Sequence, residues 1–99
     1  MIKELEGTSQ VDIGRRIIAL RLAMGLRPAQ FADACGISRS SLSNYEKGFR
    51  RPLVDQAGKI CSMTGAGLDW IYHAKRRAVP HDLGVIIDRL KPSDLLKSR

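Results

Sequence analysis

Between positions 39 and 47 the chain sets out Arg39, Ser40, Ser43, Asn44 and Lys47: a guanidinium, two hydroxyls, a carboxamide and an ammonium. Such groups donate hydrogen bonds and carry positive charge, the chemistry of holding a polyanion rather than of breaking bonds. Catalytic arrangements are missing elsewhere. No Ser or Lys stands in a nucleophile frame such as GxSxG or SxxK. Cys35 and Cys61 are 26 residues apart, with no CxxC and no nearby His, and read as reduced core thiols rather than metal ligands. His73 and His81 are isolated on either side of a basic stretch and suit a surface better than a metal. The expectation is no catalytic residue, no metal and no cofactor, hence not an enzyme.

The elements around these donors read as two short helices and a turn. Pro28 suits a first helical turn, Phe31, Ala32 and Cys35 form an apolar face, and Gly36 closes the helix. Ser38 caps the next, Ile37 before it packs toward Leu42, and Leu42 and Tyr45 carry the inward face to Gly48. A small residue at Ala32 lets the two helices cross closely. That leaves Arg39, Ser40, Ser43, Asn44 and Lys47 outward. Two helices so joined match the helix-turn-helix, whose second helix enters the major groove of DNA.

The flanks are helical too. Asp12 is read as the cap of a helix whose stripe is Ile13, Ile17, Leu20 and Met24, ended by Gly25. After a basic loop of Phe49, Arg50, Arg51 and Pro52, the residues Leu53, Ala57, Ile60 and Thr64 keep helical spacing to Gly65. Leu68, Trp70, Ile71 and Tyr72 make a last short helix, with both aromatics in the core rather than as stacking platforms for bases. Residues 1–10 show no periodicity and read as a flexible arm. Lys75 to Pro80 reads as a linker, and Leu83, Ile86, Ile87 and Leu90 as the stripe of an amphipathic C-terminal helix. The first reading of this stripe is packing back on the same bundle; because five helices already close a core and a sixth stripe is surplus, the alternative, close behind, is a dimerisation element. Pro92 and Ser93 end that helix, leaving Leu95 and Leu96 as a frayed turn.

Ninety-nine residues fit one compact core. Seventeen Lys and Arg against ten Asp and Glu give a net charge of +7, and Val11 to Arg51 alone holds eight basic and three acidic residues. This concentration favours a nucleic-acid partner over mere solubility. The opening MIKELEGTSQ has no apolar run, so neither a signal peptide nor a membrane span is expected, and a cytoplasmic protein is.

Residues 13–72 resemble the DNA-binding domain of the phage repressor and Cro family. The segments IGRRIIALRLAMGL, AQFADACGISRSSLSNYEKG, RRP and GAGLDWIY follow the family's order: opening helix, recognition unit, basic loop and closing motif. The resemblance implies an ion pair between Arg21 and Glu46. It places Arg39, Ser40 and Asn44 at base-reading positions, where Arg can fork onto guanine, Asn can pair with adenine and Ser tolerates any base. It places Arg27, Ser38, Ser43, Lys47, Arg50 and Arg51 at phosphate-holding positions. Two residues depart from the pattern. Arg27 and Pro28 stand where the family has a polar Thr-Gln pair, so a phosphate there must be met by Arg27 or by backbone N–H groups. Gly67 stands where a Ser usually caps the last helix.

The reading is all-α: a five-helix bundle at residues 11–74 of the lambda repressor-like DNA-binding type, an arm at 1–10, and a linker and helix at 75–99. It implies a transcriptional regulator, a repressor acting as a homodimer on double-stranded DNA, with polymerase or another protein as a further partner. The alternative is an antitoxin that binds its own operator and a toxin.

Overall fold

Helix α1, Gln10–Ala23, is the axis on which the rest is built. A computed structural model describes residues 1–97, and among these it contains α-helices and two short 3-10 turns, with no strand. Ser9, not Asp12, caps α1. Ser9 Oγ accepts from the Asp12 N–H at 3.1 Å while the Asp12 carboxylate accepts from the Ser9 N–H at 3.2 Å. This reciprocal box satisfies two N–H groups that the helix itself cannot. Ile13, Gly14, Arg16, Ile17, Ile18, Ala19, Leu20 and Arg21 are all buried, so α1 hides nearly its whole circumference rather than one stripe.

Around it lie α2 (Pro28–Cys35), α3 (Arg39–Glu46), α4 (Val54–Thr64) and α5 (Leu68–His73). Gly36 ends α2 at φ +76° and lets the N–H groups of Gly36 and Ile37 both reach Ala32 O, at 3.0 and 3.1 Å. That turn aims α3 away from α2 at a fixed angle. Trp70, Phe31, Leu42, Ile60 and Ile71 fill the core fully buried, and each such side chain contributes about 1.5–3 kcal/mol by leaving water. Trp70 Nε1 also donates to Arg16 O at 3.4 Å.

Five further expectations need correction. Residues 1–10 are not a loose arm: a 3-10 turn at Lys3–Leu5 buries Leu5 completely. Arg16 holds it there. Its guanidinium, with no solvent exposure, donates to Leu5 O at 2.9 Å and Gly7 O at 2.6 Å, and through Nε and Nη2 to Ile71 O at 3.0 and 2.9 Å. Backbone carbonyls at the end of α5 and in the N-terminal turn thus satisfy a buried cation.

Lys75 to Pro80 is not a separating linker. A 3-10 turn at Arg76–Ala78 is pinned by Gly67 N–H to Ala78 O at 2.8 Å, and Val79 is buried. Nor is the C-terminal stripe surplus. Helix α6, His81–Asp88, lies on α1 with Ile87 fully buried and Leu83 and Leu90 half-buried against the core, so of the four dimerisation candidates Ile86 alone is exposed. The chain continues into α7, Pro92–Lys97, which buries Leu95 against the same core, where a frayed turn was expected. Finally, Leu53 caps α4 from outside and is 74% exposed, while the adjacent Pro52 is buried.

Candidate nucleic-acid interface

Helix α3 owes its orientation to contacts on its inner side. Leu42 and Tyr45 are buried in the core, and Glu46 at its last turn meets Arg21 of α1. Arg21 Nε donates to Glu46 Oε2 at 2.8 Å and Nη2 to Oε1 at 3.0 Å, with both side chains 5% exposed or less. Burial pushes the Glu46 carboxyl up, and the paired guanidinium pulls it back. Gly14 completes the seam. A Cβ there would run into Tyr45 O, so the absent side chain is what allows α1 and the end of α3 to touch backbone to backbone.

The outer side carries the donors. Arg39, Ser40 and Lys47 are exposed, and Ser43 and Asn44 are half-buried on the flanks. Ser38 is committed to structure: its Oγ accepts from the Ser41 N–H at 3.0 Å and donates to Ser41 Oγ at 2.8 Å. Of the residues expected to hold phosphates it is the one whose hydroxyl already serves a helix cap. Arg27 is exposed, and its own N–H donates to Gln30 Oε1 at 3.0 Å. With Pro28 lacking an N–H, the guanidinium is the group Arg27 can offer an anion.

Arg50 and Arg51 sit exposed in the loop after α3, and that loop is anchored at several points. Phe49 N–H and Arg50 N–H donate to Asn44 O at 2.9 and 3.3 Å, Gln10 Nε2 to Gly48 O at 3.2 Å, and Arg51 Nη2 to Thr8 O at 3.2 Å. Tyr72 Oη donates to Pro52 O at 2.6 Å. The two cations therefore project from a fixed platform beside α3.

Three residues hold this face in ways the sequence reading missed, Tyr72 having been read for its ring alone. Asp33 pairs with Arg39, its Oδ2 2.9 Å from Nη2, and this hydrogen-bonded guanidinium holds the Asp33 carboxyl below its ordinary range. Gln10 and Tyr72 secure the basic loop. An acidic residue six positions before Arg39, across a turn, was the one readable signal; the other two bond to backbone oxygens, which leave no trace in side-chain pattern.

Burial pushes the Cys35 thiol up to about 11, far from a reactive thiolate. Among the described residues no group of three His, Cys, Asp or Glu could hold a metal ion, and no helix is long and apolar enough to cross a membrane.

A family model described as helix-turn-helix matches residues 17–71. Two curated relatives, each named an uncharacterized HTH-type transcriptional regulator, come from Rickettsia conorii and Rickettsia prowazekii. Each is 30% identical over 66 residues, which covers 67% of this chain and 53% and 51% of theirs. The chain thus spans about half the length of the curated relatives it matches. No solved structure matches significantly.

Proposed function

Because the chain belongs to the helix-turn-helix family of phage repressor and Cro type, we propose that it regulates transcription by binding double-stranded DNA in a sequence-specific way, with no catalysis of its own. The observation that carries this reading is the division of α3: Leu42, Tyr45 and Glu46 are locked inward, while Arg39, Ser40 and Asn44 remain for base edges. In the major groove Arg39 forks onto guanine O6 and N7 and Asn44 pairs with adenine. Arg27, Ser43, Lys47, Arg50 and Arg51 neutralise phosphates around the groove and set the register. Ser38 contributes its backbone N–H at the start of α3 rather than its hydroxyl.

One module this small covers too little DNA for high affinity, so we place two copies on two half-sites. Its extents of 28 × 24 × 23 Å suit side-by-side seating in successive major grooves, which lie about 34 Å apart. Occupancy of a promoter by such a pair excludes polymerase, and the protein acts as a repressor. Of the α6 stripe, Ile87 is spent within the bundle, and Ile86 is the member that stays exposed for a contact between copies. The antitoxin reading rested on a surplus helix offered to a toxin, and we prefer the repressor because most of that stripe packs on its own bundle.

Selection of bound fragments from random DNA tests this directly. A recurrent half-site, repeated as an inverted pair at about one helical turn, is the expected outcome. Recovery of unrelated sequences with no common base pair would refute base reading by α3.

A further inference from the structure

Arg39 opens α3 on its exposed face, and the side chain that grips it comes from the helix before. Asp33 accepts from Arg39 Nη2 at 2.9 Å and from Nε at 3.4 Å, with 61% of the Asp33 and 67% of the Arg39 side chain exposed. A surface pair of this kind adds little to folding, so its interest lies in which atoms it uses. A planar guanidinium presents more than one edge that can fork onto two acceptors. One is the side edge, formed by Nε and one terminal nitrogen, and another is the end edge, formed by both terminal nitrogens. Asp33 takes the side edge. The end edge remains, and it offers the paired N–H groups that guanine O6 and N7 accept.

We propose that Asp33 is the positioning residue for sequence recognition, holding the side edge of Arg39 so that its end edge meets a guanine. The inference rests on the reading of α3 as the base-reading helix and names what sets its preference. Two physical effects act together. Arg39 loses side-chain freedom before DNA arrives, so less ordering remains to be done on binding. The Asp33 carboxylate also repels phosphate oxygens, which disfavours the alternative in which Arg39 swings onto the backbone of any sequence. Asp33 needs no contact with DNA for either effect.

The test uses the full chain and titrates the selected operator, the same operator changed at single base pairs, and unrelated DNA at one salt concentration. Arg39→Ala identifies the base pair concerned by removing its preference. Asp33→Asn is expected to lower that preference about three- to fivefold while binding unrelated DNA at least as tightly as the parent, one negative charge having been removed. Asp33→Glu, which keeps the charge, is expected to retain more of the preference than Asp33→Asn. The double variant Arg39→Ala, Asp33→Asn should lose no preference beyond Arg39→Ala. An Asp33→Asn protein with its preference intact, or one weakened equally on every sequence, overturns the proposal while leaving base reading by Arg39 standing. If Arg39→Ala changes no base preference at all, the reading of α3 falls and this inference with it. Thermal melting of Asp33→Asn at the parent temperature keeps any effect of folding apart.

Discussion

Arg21 on α1 and Glu46 at the end of α3 form a buried two-point ion pair, at 2.8 and 3.0 Å. The pair ties the far end of α3 to the central helix, so its integrity bears on stability and on the pose of the side chains proposed to face DNA together. Replacing one partner takes this two-point pairing from a charge that stays buried, at a cost of about 3–5 kcal/mol. Glu46→Leu or Arg21→Met alone should therefore lower the denaturation midpoint strongly, and the double variant should recover most of the loss. Strictly additive losses in that cycle would mean the two groups do not interact.

Gly14 and Gly58 both lie inside helices, yet they should respond oppositely to Ala. Helix propensity favours Ala by about 1 kcal/mol at either site. At Gly14 the new Cβ meets backbone oxygen of α3, which has no rotamer to yield, and overpacking of that kind costs about 1–3 kcal/mol. Gly58 has nothing within 4 Å of a Cβ. Thermal melting should show Gly58→Ala raised and Gly14→Ala lowered, with operator binding weakened in Gly14→Ala only.

Removal of the C-terminal segment should damage the fold rather than merely the assembly. Truncation after Arg77 deletes Val79, Ile87 and Leu95, all buried against α1 and its neighbours. Ile87→Ala alone should cost about 2–5 kcal/mol. A truncated chain that melts at the full-length temperature would show that α6 and α7 add no stability.

Acid should loosen the same segment. Hydrogen bonds from Arg76, at 3.0 Å each, hold the Asp88 carboxyl below its ordinary range. A carboxyl with a lowered folded pKa contributes stability above its unfolded value, near 4, and loses it as pH falls through the folded one. Stability should decline on that acid limb, and Asp88→Asn should make the decline shallower. An unchanged limb in Asp88→Asn would remove this pair from the acid response.

Base reading and phosphate holding should separate in salt titrations. Arg39→Ala and Asn44→Ala should each cost about 1–3 kcal/mol on the preferred site and relax one base pair. Arg50→Ala and Arg51→Ala should weaken all sequences alike and flatten the salt dependence by about one counterion each. Indistinguishable salt slopes and sequence profiles for Arg39→Ala and Arg51→Ala would contradict the placement of α3 in the groove.

How much of this was legible beforehand follows from what each signal reports. Side-chain period and cap chemistry are local, so α2, its Gly36 turn, the Ser38 cap and α3 could be read from residues 28–46 alone. The outward set on α3 followed, because a helix fixes which side chains share a face. Sequence thus determined the helices of the central unit and the face of α3 that carries the donors. It could not say what each apolar stripe packs against, since a stripe specifies only that burial must occur. Tertiary structure decided that Ile87 and Leu95 close on α1 rather than on a second chain, and that Leu53 faces solvent. It also decided the partners of charge. Arg16 looks in the sequence like one more surface cation, yet it is buried because three backbone carbonyls converge on it, those of Leu5 and Gly7 from the turn before α1 and that of Ile71 from 55 residues away. Such carbonyls belong to every residue alike, so only the folded path of the chain brings them to one point.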